Sequence, residues 1–164
     1  MKRYASLIVA VLAVAADQIS KWYFAANYQL YESHTVLGSL VKFTYIHNYG
    51  AVGGMLAGAP WVFNIITVAV VLFLIFLLAA GRVKSSLLRW AFTLVVSGGI
   101  GNMIDRLSNG YVVDFIDCNG MYFPWIFNIA DSLVVIGCGL ILLYYLLDTV
   151  REIRAKRGAD NAET

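Results

Sequence analysis

The chain has 164 residues, of which 60% are hydrophobic and 13% are charged, and its formal net charge at pH 7 is +2. Soluble domains carry about 25% charged residues, so this composition excludes an ordinary cytosolic domain and predicts a membrane protein. The small net charge gives no support to nucleic-acid binding. The length fits one domain, and we expect residues 1–164 to form a single integral membrane domain.

Apolar runs of about 20 residues are long enough to cross the roughly 30 Å hydrocarbon core of a bilayer as helices. The chain contains four such runs, and we expect membrane spans at approximately 5–24, 61–80, 87–106 and 131–150. Between and after these spans we expect an extracytoplasmic insert at 25–60, an extracytoplasmic hairpin at 107–130 and a cytoplasmic tail at 151–164.

The first span also has the features of a secretory signal peptide. A basic start, MKR, precedes the apolar stretch ASLIVAVLAVAA, which has an A-x-A ending. The helical pattern nevertheless continues through DQISKWYF, where Asp17 and Lys21 lie four residues apart with the acid first, the favourable order for an ion pair on one helix face. We therefore expect the span to be retained, with Asp17 and Lys21 paired and Lys21 extending towards the outer membrane interface.

The cations near the ends of the spans predict the orientation, because cytoplasmic loops carry an excess of Lys and Arg. These cations lie before the first span, between the second and third, and after the fourth: Lys2, Arg3, Arg82, Lys84, Arg89, Arg151, Arg154, Lys156 and Arg157. The other two connections carry only Lys42 and Arg106. Both termini are therefore expected in the cytoplasm.

The two long connections contain segments with the composition of strands. TVLGSLVKFTYIHN has β-branched and aromatic residues in partial alternation, and GAVGGMLAGAP after it suggests a flexible or short helical piece at the membrane surface. Later, YVVDFID lies between Asn109-Gly110 and Asn119-Gly120, dipeptides that favour type I′ turns. Asp114 is expected to project from this strand near the membrane boundary, which is an expensive place for a lone carboxylate.

Polar residues beside the third and fourth spans have structural explanations of their own. Asn102 and Arg106 lie one helical turn apart on one face, where lipid headgroups would contact both. Asn128, followed three residues later by Asp131, resembles a helix cap, and a carboxylate in a first turn is stabilised by the helix dipole.

Asp114 and Asp131 together favour a functional interpretation. We expect them on the same side of the membrane, both near apolar surface and separated by one short segment. Two carboxylates held close in a low-dielectric site do not both ionise readily, so one keeps a proton while the other accepts one. This is the working state of an aspartic protease, in which the ionised Asp deprotonates water and the protonated Asp polarises the scissile carbonyl.

Three other functions stay open on the residues alone. A serine peptidase would use Ser97 or Ser20 as nucleophile and Lys21 as base. A transporter or channel subunit would use the carboxylates as a proton or cation path, and an assembly factor would use them as caps and ion pairs. The carboxylates in question are Asp17, Asp105, Asp114 and Asp131.

The cysteines and histidines give no metal pattern. Cys118 and Cys138 have no CxxC or Cys/His neighbour, and we expect them to be unpaired. His34 and His47 stand apart and lack the HExxH spacing that places two imidazoles on one helix face. We expect neither a metal nor a cofactor.

Five motifs, in order along nearly the whole chain, resemble those of lipoprotein signal peptidase, also called signal peptidase II. They are DQISK at 17–21, IHNYGA around Asn48, GNMIDR at 101–106, GYVVDF at 110–115 and FPWIFNIAD at 123–131. The resemblance implies an all-α polytopic membrane protein with four transmembrane helices, a small extracytoplasmic β-sheet cradle and an interfacial helix. One departure is Gly53, which stands in NYGAVGGM near the position where the family usually has an aromatic residue.

The resemblance also implies an activity and its residues. Family members are aspartic endopeptidases of the bacterial cytoplasmic (inner) membrane that remove the signal peptide of prolipoproteins just before a Cys carrying diacylglycerol, and globomycin inhibits them. The expected partners are thus a lipid-modified prolipoprotein and membrane lipids, for a monomer with its active site at the extracytoplasmic face. The catalytic dyad falls on Asp114 and Asp131, with Asn128 orienting it and Arg106 contacting substrate or lipid. The motif positions expected to line the site are Asn48, Asn102, Arg106, Asn128, Asp17 and Lys21.

Overall fold

The computed structural model describes residues 2–38, 40–50, 60–123 and 125–161. In chain order, the elements are α1 Lys2–Asn27, β1 Ser33–Leu37, β2 Val41–Asn48, α2 Pro60–Ala79, α3 Ser86–Asn109, β3 Val112–Asp117, β4 Ile126–Phe127 and α4 Ile129–Asp160. A short 3₁₀ turn, Asn119–Met121, lies between β3 and β4. The chain is therefore mostly helical, with one small sheet.

Three helices of the described residues are long and apolar enough to cross a membrane: Tyr4–Asn27, Ser86–Asn109 and Ile129–Arg157. The helix α2 adds a shorter apolar stretch, Asn64–Ala79. In α4 only 6% of the most apolar window is buried inside the protein, although that helix has a mean hydropathy of 2.2. A surface this apolar is stable against lipid chains and not against water, so the chain is a multi-pass membrane protein.

The helix α3 packs against α1, α2 and α4. Its contact with α4 requires glycine, because a Cβ at Gly98 would overlap the carbonyl oxygen of Ala130. A Cβ at Gly137 of α4 would likewise lie 2.8 Å from the carbonyl oxygen of Ala91. These two glycines let the backbones approach closely and place the first turn of α4 against the second half of α3.

The four strands form one antiparallel sheet in the order β1-β2-β3-β4. Its buried strand is β3, which lies between β2 and β4 and pairs Asp114 with Ile46. An aromatic cluster joins the sheet to the end of α1, where the Phe24 ring stacks on Phe115 with centroids 4.1 Å apart. The carboxyl end of α1, the last turns of α3 and the start of α4 therefore meet at the sheet.

Both Asn-Gly dipeptides differ from the turn type that the sequence predicts. Gly110 ends α3 as a left-handed cap with φ 80°, and its N–H donates to the carbonyl of Arg106. Asn119 and Gly120 lie in the 3₁₀ turn. The type I′ prediction is wrong because β3 follows a helix directly and reaches β4 through a longer connection, so neither site is a two-residue hairpin. The expected surface helix in GAVGGMLAGAP and the Gly53 departure lie outside the described residues.

Candidate active site

Asp114 lies in the middle of β3 and is 0% exposed. Both of its oxygens accept hydrogen bonds from amides, Oδ2 from Asn48 Nδ2 at 2.8 Å and Oδ1 from Asn128 Nδ2 at 2.7 Å. Burial, with a further contribution from the charge of Asp131, raises the pKa of Asp114 to about 7, and the two amide hydrogen bonds only partly oppose this rise. The side chain is therefore able to hold a proton near neutral pH.

Asp131 lies in the first turn of α4, where it is part of a reciprocal cap with Asn128. The Asp131 N–H donates to Asn128 Oδ1 at 2.9 Å, and the Asn128 N–H donates to Asp131 Oδ2 at 3.3 Å. The predicted cap is thus confirmed. Asn102 Nδ2 of α3 also donates to Asp131 Oδ1, at 2.7 Å. The same carboxylate therefore caps a helix and enters the polar network.

The side chain of Asn128 links the carboxylate of Asp114 to the backbone of Asp131. It is 0% exposed, and its amide nitrogen donates to Asp114 while its amide oxygen accepts from the backbone of Asp131. The amide nitrogen also lies 3.0 Å from Asn102 Oδ1, so the amides of Asn102 and Asn128 contact each other as well. Sequence reasoning named all four of these residues, and the structure brings them together with Asn48.

Asp17 and Lys21 form the predicted ion pair at 2.9 Å, but Lys21 is 3% exposed and does not extend to the interface. The extended conformation was a wrong prediction, because α3 supplies two further acceptors, Asp105 Oδ2 at 3.1 Å and Asn102 Oδ1 at 2.9 Å. Gln18 Nε2 donates to both Asp17 and Asp105.

The structure therefore adds Gln18 and Asp105 to the predicted site residues. Gln18 lies in the motif DQISK and Asp105 in the motif GNMIDR, beside residues that the sequence analysis had already named. One signal in the sequence could have found them. A polar side chain inside an apolar helix is costly unless it has a buried partner, so Gln18 and Asp105 each require one.

Arg106 lies one turn beyond Asn102 on α3, and its charge interacts with those of Asp131, Asp114 and Asp105. It borders a cavity of about 130 Å³ between α2 and α3. The residues lining this cavity are Asn64, Thr67, Val68, Met103, Arg106 and Leu107. A mixed lining of amide, hydroxyl, guanidinium and apolar groups is suited to a ligand with both oxygen atoms and hydrocarbon.

The geometry opposes a serine peptidase. The hydroxyl of Ser20 donates to the carbonyl of Asp17, and that of Ser97 donates to the carbonyl of Thr93. The ammonium of Lys21 donates to two carboxylates, so it is not free to act as a base. A transport path is also disfavoured, since it predicts carboxylates at several depths. Here the four carboxylates Asp17, Asp105, Asp114 and Asp131 belong to one connected network.

The chain is similar in sequence to proteins of one known family. Residues 9–147 match the family described as Signal peptidase (SPase) II. The lipoprotein signal peptidase of Shewanella pealeana is 44% identical over 141 residues, which are 82% of each chain. The lipoprotein signal peptidase of Shouchella clausii is 42% identical over 151 residues, which are 92% of this chain and 98% of the other.

Two solved structures, both of them described as bacterial membrane enzymes, have a similar fold. One superposes with a TM-score of 0.82 at 36% identity and covers 88% of this chain and 89% of its own. The other has a TM-score of 0.77 at 37% identity and covers 87% of this chain and 92% of its own.

Proposed function

The chain belongs to the signal peptidase II family, and on that premise we propose that it is an aspartic endopeptidase that removes the signal peptide of diacylglyceryl-modified prolipoproteins, cutting just before the lipidated Cys. Asp114 and Asp131 form the catalytic dyad. The observation that carries the proposal is the buried amide of Asn128, which hydrogen-bonds to Asp114 and to the first turn of α4 at Asp131. One neutral group thereby holds two acids beside each other.

The dyad divides the chemistry between its two members. Asp131, as the ionised member, removes a proton from a water molecule, and the resulting hydroxide forms a C–O bond with the scissile carbonyl carbon. Asp114, whose pKa of about 7 lets it keep a proton near neutrality, donates a hydrogen bond to the carbonyl oxygen. When the C–N bond breaks, the leaving amine takes up the proton that came from the water.

The remaining site residues orient the dyad or bind the substrate. Asn128, Asn48 and Asn102 hold the carboxylate oxygens by hydrogen bonds of 2.7 to 2.8 Å. Arg106 contacts substrate or lipid from the α2–α3 cavity. A guanidinium beside apolar helices is suited to the ester oxygens of a diacylglyceryl group, because it donates several hydrogen bonds while its stem packs against hydrocarbon.

We further propose that α2 crosses the membrane in addition to the three long apolar helices, which gives four spans in a bacterial cytoplasmic (inner) membrane. Arg82 and Lys84 lie between α2 and α3, and Arg151 and Arg154 lie in the last part of α4. All four lie at or beyond the helix ends that are distant along the helices from the dyad, which supports cytoplasmic termini and an active site at the extracytoplasmic face. One chain supplies the whole polar network, so a monomer is sufficient for activity.

The test is cleavage by the purified protein in detergent or lipid. The substrate is a prolipoprotein bearing diacylglyceryl-Cys, and loss of the signal peptide is followed on a gel, with mass spectrometry of the new N-terminus. We expect cleavage just before the lipidated Cys by the wild type, inhibition of it by globomycin, and at least about 1,000-fold slower cleavage by Asp114→Asn and Asp131→Asn. An unlipidated precursor should not be cleaved.

Asp117→Asn is the matched control, because Asp117 lies on the same strand and hydrogen-bonds to Thr44 and Asn119 rather than to the dyad. We expect it to cleave within about twofold of the wild type. Wild-type cleavage rates in folded Asp114→Asn or Asp131→Asn would move the chemistry elsewhere.

A further inference from the structure

The ammonium of Lys21 has three hydrogens, and three acceptors surround it. They are Asp17 Oδ2 at 2.9 Å, Asp105 Oδ2 at 3.1 Å and Asn102 Oδ1 at 2.9 Å. Lys21 comes from α1, whereas Asp105 and Asn102 come from α3. We name these four residues the Lys21 frame.

The two carboxylates of the frame each accept a backbone N–H from a residue next to the dyad. Asp17 Oδ1 accepts from the N–H of Ala130 at 2.8 Å, and Ala130 directly precedes Asp131. Asp105 Oδ2 accepts from the N–H of Val113 at 3.0 Å, and Val113 directly precedes Asp114. The same ammonium therefore holds both of the carboxylates that fix the backbone beside the dyad.

The third acceptor of Lys21, Asn102, also hydrogen-bonds to the side chain of Asp131. With its amide oxygen bound to Lys21, Asn102 directs its amide nitrogen to Asp131 Oδ1 at 2.7 Å. The orientation of the amide is thus set by the cation, since reversing it would place an NH₂ group against an ammonium.

Neutralisation of charge does not by itself explain this arrangement. Asp17 and Asp105 carry two negative charges against one positive charge on Lys21. A single carboxylate would neutralise the ammonium. The second carboxylate therefore has a positional use, and Gln18 supports both by donating to Asp17 and to Asp105.

We propose that Lys21 is a positioning residue of the peptidase, whose ammonium joins three separate contacts and so sets the spacing and orientation of Asp114 and Asp131. This proposal rests on the proposed function for its reaction. Lys21 touches neither the substrate nor the reacting atoms. It acts on the position of the dyad through Asp17, Asp105 and Asn102, and its charge also lowers the pKa of Asp114.

The experiment compares Lys21→Met with the double variant Lys21→Met/Asp17→Asn. The single variant leaves two buried carboxylates without a cation and is expected to lose stability. The double variant restores the net charge of −1 that the three ionised groups have in the wild type. Thermal unfolding checks that it is folded, and the variant then separates the positional role from the balance of charge.

For the double variant we expect kcat for the lipidated prolipoprotein to fall about 100-fold while KM stays within about threefold, because the dyad is misplaced and substrate contacts remain. We also expect faster hydrogen exchange at the amide of Val113, measured by NMR. Asp105, the acceptor of that amide, is unchanged in the variant, so faster exchange reports the loss of Lys21.

Wild-type kcat in the folded double variant would overturn the proposal, and so would a fall in kcat with unchanged exchange at Val113. Failure of the wild type to cleave the lipidated substrate would instead overturn the proposed function. In that case the exchange rate at Val113 would still support or overturn the role of Lys21 in fixing the backbone beside Asp114.

Discussion

Two pairs of aspartates belong to one polar network in this protein and have different partners; Asp17, Asp105 and Asp114 are buried, and Asp131 is partly buried. Asp17 and Asp105 share the ammonium of Lys21, at 2.9 and 3.1 Å. Asp114 and Asp131 share the neutral side chain of Asn128. The first pair connects α1 and α3 to the backbone of α4 and β3, and the second pair connects β3 and the start of α4 to β2 and α3.

The difference between the pairs is chemical. An ammonium stabilises the charged form of a carboxylate directly, which suits a permanent ion pair. Amide donors compensate burial only in part, and the pKa of Asp114 accordingly rises to about 7. The proposed dyad therefore differs from Asp17 and Asp105 in having amide partners in place of an ammonium.

The largest effect is expected from Asn128→Ala, which removes the group shared by the dyad. It should reduce kcat about 1,000-fold, because the Asp114 carboxylate loses the hydrogen bond from the amide nitrogen and the backbone N–H of Asp131 loses its acceptor. It also removes the cap of α4, at a cost of about 1 kcal/mol in the free energy of unfolding. Cleavage kinetics and thermal unfolding measure the two effects separately.

Asn119→Ala is the control for this variant, since Asn119 bonds to Asp117 outside the dyad. If Asn128→Ala cleaved as fast as Asn119→Ala, the shared amide would have no role in catalysis.

The free energy of unfolding of the protein should depend on pH because of Asp114. The folded-state pKa of Asp114 is about 7 and its ordinary value is 3.8, so its contribution to stability is fully present below pH 3.8 and is lost as the pH rises towards 7. The shift corresponds to about 4 kcal/mol across the whole window. Thermal unfolding of wild type and Asp114→Asn at pH 4, 5.5 and 7.5 isolates this contribution.

In that series the wild type should lose stability relative to Asp114→Asn as the pH increases. A constant difference between the two proteins from pH 4 to 7.5 would mean that Asp114 is no harder to ionise in the folded protein than in the unfolded chain.

Activity should also fall on the alkaline side. In the proposed mechanism the dyad needs one proton, and Asp114, with a pKa of about 7, loses its proton near neutrality. We expect kcat/KM to decrease about tenfold per pH unit well above that value. Initial rates between pH 5 and 9 measure this, and Asp117→Asn should show the same profile as the wild type. A rate that is flat to pH 9 would assign the general acid to another group.

A smaller effect is expected from Gly101→Ala, which perturbs the Lys21 frame without changing its charges. The added Cβ would lie 2.5 Å from Asp17 Oδ2 and force that carboxylate to move. We expect about a tenfold lower kcat with wild-type KM. Gly139→Ala in α4 is the matched control, because its Cβ would meet no atom within 4 Å. Equal kcat values for the two variants would show that the dyad tolerates displacement of Asp17.

The sequence predicted features that depend on composition or on neighbours within one helical turn. The membrane class follows from composition, the Asp17–Lys21 ion pair from a spacing of four, and the Asn128–Asp131 cap from a spacing of three. The resemblance to signal peptidase II, which depended on five ordered motifs, is confirmed by the family match over residues 9–147.

Features that depend on distant parts of the chain were predicted wrongly or missed. Lys21 was expected to extend outward because its acceptors on α3 are invisible in a local pattern. The contact of Gln18 with Asp105 spans 87 residues and was missed for the same reason. Gly110 was assigned to a hairpin turn because Asn-Gly also suits the left-handed end of a helix, and only the packing of α3 decides between the two.

The most direct test of the difference between the two pairs is to measure cleavage and thermal unfolding, at pH 7.5, for four isosteric variants. They are Asp114→Asn, Asp131→Asn, Asp17→Asn and Asp105→Asn. We expect the first two to lose at least about 1,000-fold in cleavage while their unfolding temperatures fall less than those of the other two, because neither change leaves a buried cation without its partner. The last two should unfold several degrees lower, because Lys21 loses a partner. Dyad variants that still cleave, or that unfold at lower temperature than the Asp17 and Asp105 variants, would contradict this division of roles.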